Sequence, residues 1–421
     1  MLCATATRSA ASTGSVPGSQ DSASRRVRVG LLIAGGKPPR GGEFGAMKSI
    51  LKLSPDRFTP LVIYGKKNNV VDMAIDRGIS TAVVSIDPVL LGMYPRQMRL
   101  WNPLLLIEVT WRLLRTGAVR EISGLVVTHH IDVLYCSDNI SKILGGLAAR
   151  RAGIPVVGRC DDVAEGTVLG MILRLLNAIF LDRILAVSGA VRDSLLRSSR
   201  AGGKTLLLYN GVDPEVFDPA RVRPVDCPES DGRLIVGCVG ALDWNKGQGV
   251  LIDAVARLRD DGMDLYDVWL IGTGPSESAL CKQAEERGIA HRVRFWGFRR
   301  DVPPLLRAMH VLVVPSLYIE SQSIVAIEAM MMGLPVIGSR LGGVPEVISH
   351  GETGMLCPPG DATEIAAALR ELAADPDTRE RMGLNGRARA LSMFSAQRLQ
   401  QRLESMLLSI VNGVDVMAEV S

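Results

Sequence analysis

The feature that most constrains this chain is a recurrence. Short runs rich in Val, Ile and Leu, each closed by Gly, Ser, Asn or Asp, alternate with longer amphipathic stretches from one end of the sequence to the other. Strands apolar on both faces and separated by helical periodicity belong to parallel sheets with crossover helices. The first half offers such runs at Val27–Ala34, Pro60–Tyr64, Ala82–Ile86, Val133–Cys136, Pro155–Gly158, Ile184–Val187 and Thr205–Tyr209. The second offers them at Leu234–Val239, Val268–Ile271, Val293–Phe295, Val311–Val314, Pro335–Gly338 and Gly354–Cys357. The expected class is α/β, in two doubly wound units, whose ligands bind beyond the carboxyl ends of the strands.

Length supports two units. The 421 residues exceed the roughly 250–300 at which a single core stops growing. Pro214, Pro219, Pro224 and Pro228 interrupt Asp213–Gly232, a stretch that can neither continue a helix nor supply a full strand ladder. It reads as a hinge between one domain over residues 27–218 and another over 219–395. From Ala396 to about Val411, Leu399, Leu403, Leu407 and Ile410 recur at helical spacing. The plain expectation is that this helix packs on its own domain; the alternative is that residues 396–421 cross back to the first.

Several classes of protein are disfavoured. A formal charge of +4 is far from that of a dedicated nucleic-acid binder. The seven cysteines, at 3, 136, 160, 227, 238, 281 and 357, contain no C-x-x-C pair, which points away from zinc and disulfide scaffolds and toward a reducing, cytoplasmic setting. Residues 1–26 read as a disordered leader, because their Ala, Ser, Thr and Gly include no apolar stretch fit for a signal peptide. Gly170–Leu181 and Pro103–Ile107 fall short of the ~18 apolar residues that suggest a membrane span.

The densest chemistry lies at Pro315-Ser-Leu-Tyr-Ile-Glu320-Ser-Gln-Ser323-Ile-Val-Ala-Ile-Glu328. A strand ends at Pro315, and Ser321, Gln322 and Ser323 can cap a helix expected to begin near Ser321. Free N–H groups at such a start suit a diphosphate. Glu320 and Glu328, the latter about two turns in, then face one crevice as acceptors for sugar or ribose hydroxyls. Three glycine loops follow strands in the same half, at Gly240 to Gly247, Gly272 to Gly274, and Gly342-Gly343, and together they argue for a nucleotide crevice. Glu277 breaks the G-x-G-x-x-G begun by Gly272 and Gly274, and no G-x-x-x-x-G-K-[ST] occurs, so hydride transfer and P-loop hydrolysis lose support.

The Glu320/Glu328 spacing, Lys246-Gly247, Ile271-Gly272-x-Gly274-Pro275, Val293-x-Phe295-x-Gly297 and Gly342-Gly343-x-Pro-Glu346 occur in an order that resembles the retaining glycosyltransferases of family 4 (group 1). The similarity spans about Leu234 to Phe394, and Tyr209-Asn210-Gly211-Val212-Asp213 is similar to that family's junction motif. The resemblance implies a GT-B fold, two Rossmann-like domains facing across a cleft. It implies that Lys246 contacts the donor diphosphate, that Glu320 holds the donor sugar and that Glu328 holds the ribose. It further implies backbone N–H groups of Gly342 and Gly343 near the phosphates, a base or ribose pocket around Phe295–Gly297, and Gly41 and Gly42 in a first glycine loop closing from the other domain. The donor would be a UDP- or GDP-sugar, with no cofactor or metal required.

Two positions depart from the family pattern. Ala241 stands where an Arg is frequent, leaving Arg340 or Arg40 as substitutes. Asp161 stands where members commonly carry a His at the donor sugar; it can accept from a hydroxyl but not donate as a carboxylate. His129 and His130 precede a strand and so lie at the wrong end of it, and Asp375-Pro376-Asp377 reads as a helix connection. Between Arg96 and Arg120, the mixture of Arg, Trp and Leu suits either an anionic membrane surface or an ordinary core-facing helix. The function implied is transfer of a sugar to a glycan or lipid-linked acceptor in cell-surface polysaccharide or glycolipid assembly, in the cytoplasm or peripherally at the inner face of the membrane. The alternatives are a nucleotide-sugar epimerase and a nucleotide-sugar-binding protein without turnover. Residues 1–220 carry 27 Lys+Arg against 18 Asp+Glu and residues 221–421 carry 21 against 26, so a basic half faces a mildly acidic one.

Overall fold

The computed structural model describes residues 25–35, 41–87, 117–161, 175–196, 203–226, 232–318 and 320–414. Among these are two sheets, every pairing of which is parallel. The first has seven strands in the order β3-β2-β1-β4-β5-β6-β7. They are β1 (Val27–Ile33), β2 (Phe58–Tyr64), β3 (Ser80–Val83), β4 (Val133–Cys136), β5 (Val156–Cys160), β6 (Arg183–Ala186) and β7 (Thr205–Leu207). The second has six in the order β10-β9-β8-β11-β12-β13. They are β8 (Leu234–Val239), β9 (Tyr266–Ile271), β10 (Val293–Gly297), β11 (Val311–Val314), β12 (Val336–Ser339) and β13 (Gly354–Cys357). Strand order reverses between β1 and β4 and again between β8 and β11. A crevice therefore opens at the carboxyl ends of each pair.

The helices are α1 (Gly41–Leu51), α2 (Asn69–Asp76), α3 (Ala118–Thr128), α4 (Asn139–Ala152) and α5 (Gly189–Leu196) on the first sheet. On the second are α6 (Gln248–Asp260), α7 (Glu277–Glu286), α8 (Pro303–Ala308), α9 (Ile324–Met331), α10 (Val344–Val347), α11 (Ala362–Ala374) and α12 (Pro376–Phe394), followed by α13 (Ala396–Val411). At the first reversal Asp138 ties the sheet to its helix: Oδ2 accepts the Ala34 N–H at 2.9 Å while Oδ1 caps α4 through Ser141 N–H at 2.8 Å. The strand starting at Ser80 lies two residues before its expected place. Val84 and Ile86 continue the apolar run and are buried, but beyond the paired segment.

The final helix corrects the plain expectation. Leu399, Leu403, Met406 and Leu407 of α13 are buried with Val29, Leu31, Phe58 and Val133 of the first domain, not with the second. Its polar side is committed there too: the Glu404 carboxylate accepts the Ser54 N–H at 2.8 Å, and Gln400 donates to the Ser49 carbonyl at 3.1 Å. The chain thus crosses between domains twice, and the two crossings pair. Val212 N–H donates to the Phe394 carbonyl and Ala396 N–H to the Val212 carbonyl, each at 2.9 Å. Gly211 permits that approach, since a Cβ there would lie 2.7 Å from Ala396 Cα. Beyond the crossing, Phe217, Val222 and Val225 of the proline-rich stretch pack on the second domain's core.

Because α13 supplies part of the first domain's core, Leu407→Ala should cost about 2–5 kcal/mol, as for other fully buried leucines. Urea denaturation of the full chain checks this; a loss well under 1 kcal/mol would mean that the helix is not docked as described.

Candidate functional site

The site is built on the second sheet's reversal. After β8 the chain forms a short turn, Trp244–Lys246, ended by Gly247 at φ 70°. A Cβ on Gly247 would lie 1.9 Å from the Pro315 carbonyl oxygen, so glycine allows the loops after β8 and β11 to touch backbone to backbone. Leu317 N–H donates to the Asn245 carbonyl at 2.9 Å and fastens them. This brings Lys246 to Glu320, with Nζ to Oε2 2.7 Å, and Ser316 donates its hydroxyl to the same oxygen at 3.0 Å. The pair lines a small hollow with Cys238, Val314, Pro315 and Ser323. Burial pushes the Cys238 thiol up to about 12, which keeps it protonated and inert.

The remaining glycines of the site hold loops together. Gly342 (φ 56°) and Gly343 lie against the backbone of Glu320 and Ser321, where a Cβ on either would be 2.1 Å from a carbonyl oxygen. Gly343 N–H donates to the Glu320 carbonyl at 2.8 Å. The expectation that Gly343 offers its amide to phosphate is therefore corrected: that N–H is spent on fixing Glu320. Gly272 and Gly274 similarly lie against Gly240 and Leu242, locking the loops after β8 and β9. Gly272 N–H bonds the Gly297 carbonyl at 2.8 Å, which places Gly297 beside the Gly272 turn. Phe295, half-buried, packs against the second domain's core.

The helix after Glu320 begins at Ile324, three residues later than expected. Ser323 is its cap, accepting from Ala326 N–H. Gln322 is instead drawn across the domain boundary, where its Oε1 accepts Asn210 N–H at 2.6 Å and the Asn210 side-chain amide at 3.0 Å. Glu328 consequently stands little more than one turn into α9. Burial pushes its carboxyl up to about 7, so near neutrality it is part carboxylate and part acid.

From the first domain, Asp161 follows β5 and accepts from Arg159 Nε at 3.0 Å; its other oxygen is buried without a hydrogen-bond partner. Burial opposes the charge of Arg159, but the neighbouring Asp161 and Tyr135 more than offset it and leave the guanidinium raised above its ordinary value. Arg159 also donates to Asn210 Oδ1 at 2.5 Å. A connected series of side chains therefore runs from Asp161 through Arg159 and Asn210 to Gln322. Sequence reasoning gave no role to Arg159, Asn210 or Ser316. The junction motif around Asn210 was the available signal, whereas an arginine ending a strand gives none of its burial.

Gly41 and Gly42 form the first turn of α1 and not an open loop. His129 caps the carboxyl end of α3 and His130 precedes β4, at the far end from the crevice. Asp375 caps α12 by accepting Thr378 N–H at 3.0 Å. Arg340 bonds the Leu356 carbonyl at 3.3 Å, while Arg40, residues 1–24 of the leader and residues 96–116 of the Arg96–Arg120 segment lie outside the described residues; Arg120 is in α3. Among the described residues no cluster of three or more His, Cys, Asp or Glu could hold a metal, and no helix is long and apolar enough to cross a membrane.

Two Rossmann-like domains joined by a double crossing, with a Lys–Glu pair at the second sheet's reversal, define the GT-B class. Residues 233–375 match the family model described as glycosyl transferases group 1, and residues 88–216 that of glycosyltransferase family 4. A D-inositol 3-phosphate glycosyltransferase of Kribbella flavida is 31% identical over 301 residues, which cover 64% of this chain and 68% of that one. The chain belongs to this glycosyltransferase family. D-rhamnosyltransferase WbpZ of Pseudomonas aeruginosa is 33% identical over 57% of this chain and 64% of its own. The match spans 60–65% of the length of three Streptomyces D-inositol 3-phosphate glycosyltransferases. Among solved structures, Anabaena HepE in complex with UDP superimposes with a TM-score of 0.74 at 23% identity, covering 91% of this chain and all of that one. A Rickettsia africae glycosyltransferase gives 0.76 at 16%, covering 92% and 99%.

Gly342→Ala should displace Glu320 and lower stability by at least about 1 kcal/mol, since alanine resists a positive φ and its Cβ strikes the Glu320 carbonyl; urea melts check the cost. The raised pKa of Glu328 carries a second expectation. The carboxylate form fills as pH rises through about 7, so the side-chain carboxyl resonance of Glu328 should titrate between pH 6 and 8, above the range of a solvent-exposed glutamate. Glu328→Gln should remove that transition from the spectrum.

Proposed function

We propose that this chain transfers a sugar from a nucleoside diphosphate sugar to an acceptor hydroxyl with retained anomeric configuration. The observation that carries the reading is the 2.7 Å Lys246–Glu320 pair at the second sheet's reversal, where crevice ligands of such folds lie. On this reading Lys246 neutralises the departing diphosphate and Glu320 accepts from the donor sugar's hydroxyls. Glu328 accepts from the ribose, and the free oxygen of Asp161 from a sugar hydroxyl on the opposite wall. The acceptor oxygen attacks the anomeric carbon from the face the diphosphate leaves. The carbon–oxygen bond to phosphate breaks with its electron pair passing to the phosphate oxygen, which takes the acceptor's proton. Charge development on the leaving group is met by a cation already in place, which is the arrangement electrostatic catalysis requires.

The donor is a UDP- or GDP-sugar. HepE holds UDP and, in other crystals, UDP-glucose, which makes that sugar nucleotide the first to test. The relatives' names range over inositol phosphate, rhamnosyl and maltose phosphate chemistry, so the family alone does not select the sugar. We assign the acceptor to glycan or lipid-linked molecules of cell-surface assembly. The enzyme would work in the cytoplasm or at the inner face of the membrane, with the basic first half toward a phosphate-bearing acceptor or an anionic surface. The second reading, nucleotide-sugar binding without turnover, draws on Ala241 and on the tie between Asp161 and Arg159.

Release of UDP or GDP from a panel of sugar nucleotides, with and without acceptor extracts, separates the two. Transfer should appear with at least one donor, NMR of the product should show the donor's anomeric configuration, and Glu320→Ala should lower turnover by about 10²-fold or more. Nucleotide binding with no release from any donor would establish the binding-only reading, and an inverted product would exclude the front-face mechanism.

A further inference from the structure

Two tethers cross the domain boundary, one two residues after Glu320 and the other on the segment whose Gly342 and Gly343 pack against it. On one side Gln322, two residues from Glu320, accepts both amide groups of Asn210, which Arg159 holds in place. On the other side stands Glu346. Its Oε2 accepts the Gly189 N–H at 2.6 Å and its Oε1 the Ala190 N–H at 2.8 Å, the first amides of α5 in the opposite domain. The Tyr209 hydroxyl donates to Oε2 at 3.1 Å.

Each piece of this contact is specific to the residue present. Gly189 has no side chain, and a Cβ there would already sit 3.1 Å from Glu346 Oε2. Two free amides at a helix start favour a carboxylate over any neutral acceptor. Arg389 secures the Glu346 backbone, donating to its carbonyl at 2.7 Å and to that of Val347 at 2.9 Å. Burial and the adjacent carboxylate push the Tyr209 hydroxyl up to about 12, so it remains a donor throughout the neutral range.

The segment that carries Glu346 is also the one that fixes Glu320. Gly342 and Gly343 are seated on the Glu320 backbone, Gly343 N–H bonds the Glu320 carbonyl, and α10 begins at the next residue. We propose that Glu346 is a positioning residue, a clasp from the second domain onto the start of α5 that sets the domain arrangement and holds the Glu320 loop in register with the first domain. Its consequence for catalysis rests on the reading of Glu320 as a ligand of the donor sugar.

Hydrogen exchange at single-amide resolution on the full nucleotide-free chain tests the clasp without using activity. In Glu346→Ala the Gly189 and Ala190 amides should exchange at least about tenfold faster, and the Gly343 amide should accelerate with them, because one local opening releases all three. Glu346→Gln keeps one accepting oxygen and should fall between. Unchanged exchange at Gly189 and Ala190 would overturn the clasp. Acceleration there with Gly343 unaffected would overturn its hold on Glu320. Should Glu346→Ala lose the protection of the β11 amides through misfolding, Tyr209→Phe, which removes one bond only, is read against the same three amides. With UDP-glucose as donor, turnover should fall about tenfold or more while KM moves less than about threefold, the split expected when a group acts through the geometry of the reacting state. Unchanged turnover would show that the clasp does not serve catalysis. A wild-type chain without turnover would defeat the transferase reading and leave the exchange result to decide the clasp.

Discussion

Glu320 stands where it does because Gly342 and Gly343 have no side chains. Their backbone lies against its carbonyl in a space no Cβ can share, and one N–H closes the contact. The same contact recurs around the crevice: Gly247 against Pro315, Gly272 against Gly240, Gly274 against Leu242. Four loops, following β8, β9, β11 and β12, are thereby fused into one platform at the carboxyl end of the second sheet. The Lys246–Glu320 pair is seated on this platform, so its geometry depends on backbone contacts, not on the rotamers of two long side chains. A cleft that must bind charge before reaction benefits from such preorganisation.

The platform has to meet the other domain, and the chain solves this with few atoms. The crossings at Val212 and Ser395 are paired side by side, α13 is buried in the first domain's core, and the polar links at Gln322 and Glu346 end on backbone amides. Backbone donors at a helix start are fixed dipoles, which gives the Glu346 contact a defined direction. The side-chain series Asp161, Arg159, Asn210 and Gln322 joins the first domain's strand end to the Glu320 loop through buried groups. Such a series is sensitive to the loss of any member, because each would leave a buried partner unsatisfied.

Much of the fold was legible in residue order. Four strand ranges, at Val133–Cys136, Leu234–Val239, Val311–Val314 and Gly354–Cys357, coincide with the expected runs, because apolar patterning and breaking residues are local. Glu320, Lys246 and the glycines of the crevice were legible as well, since family order identified them. What was misplaced follows a pattern. Ser321 and Ser323 can each cap a helix, and the fold uses Ser323 while Gln322 reaches Asn210. The amide of Gly343 was assigned to ligand but is used by the protein itself.

The sequence by itself therefore determined the two parallel sheets, through apolar periodicity, and singled out Lys246 and Glu320, through the order of motifs it shares with the family. Only the tertiary structure decided which domain receives α13, which amide Gln322 accepts and that Arg159 is buried. An apolar stripe signals burial without naming its partner, because the hydrophobic effect is non-directional. A polar side chain likewise shows its capacity for hydrogen bonding, while its partner, 51 residues away for Arg159 and 157 for Glu346, is fixed only when the chain is folded.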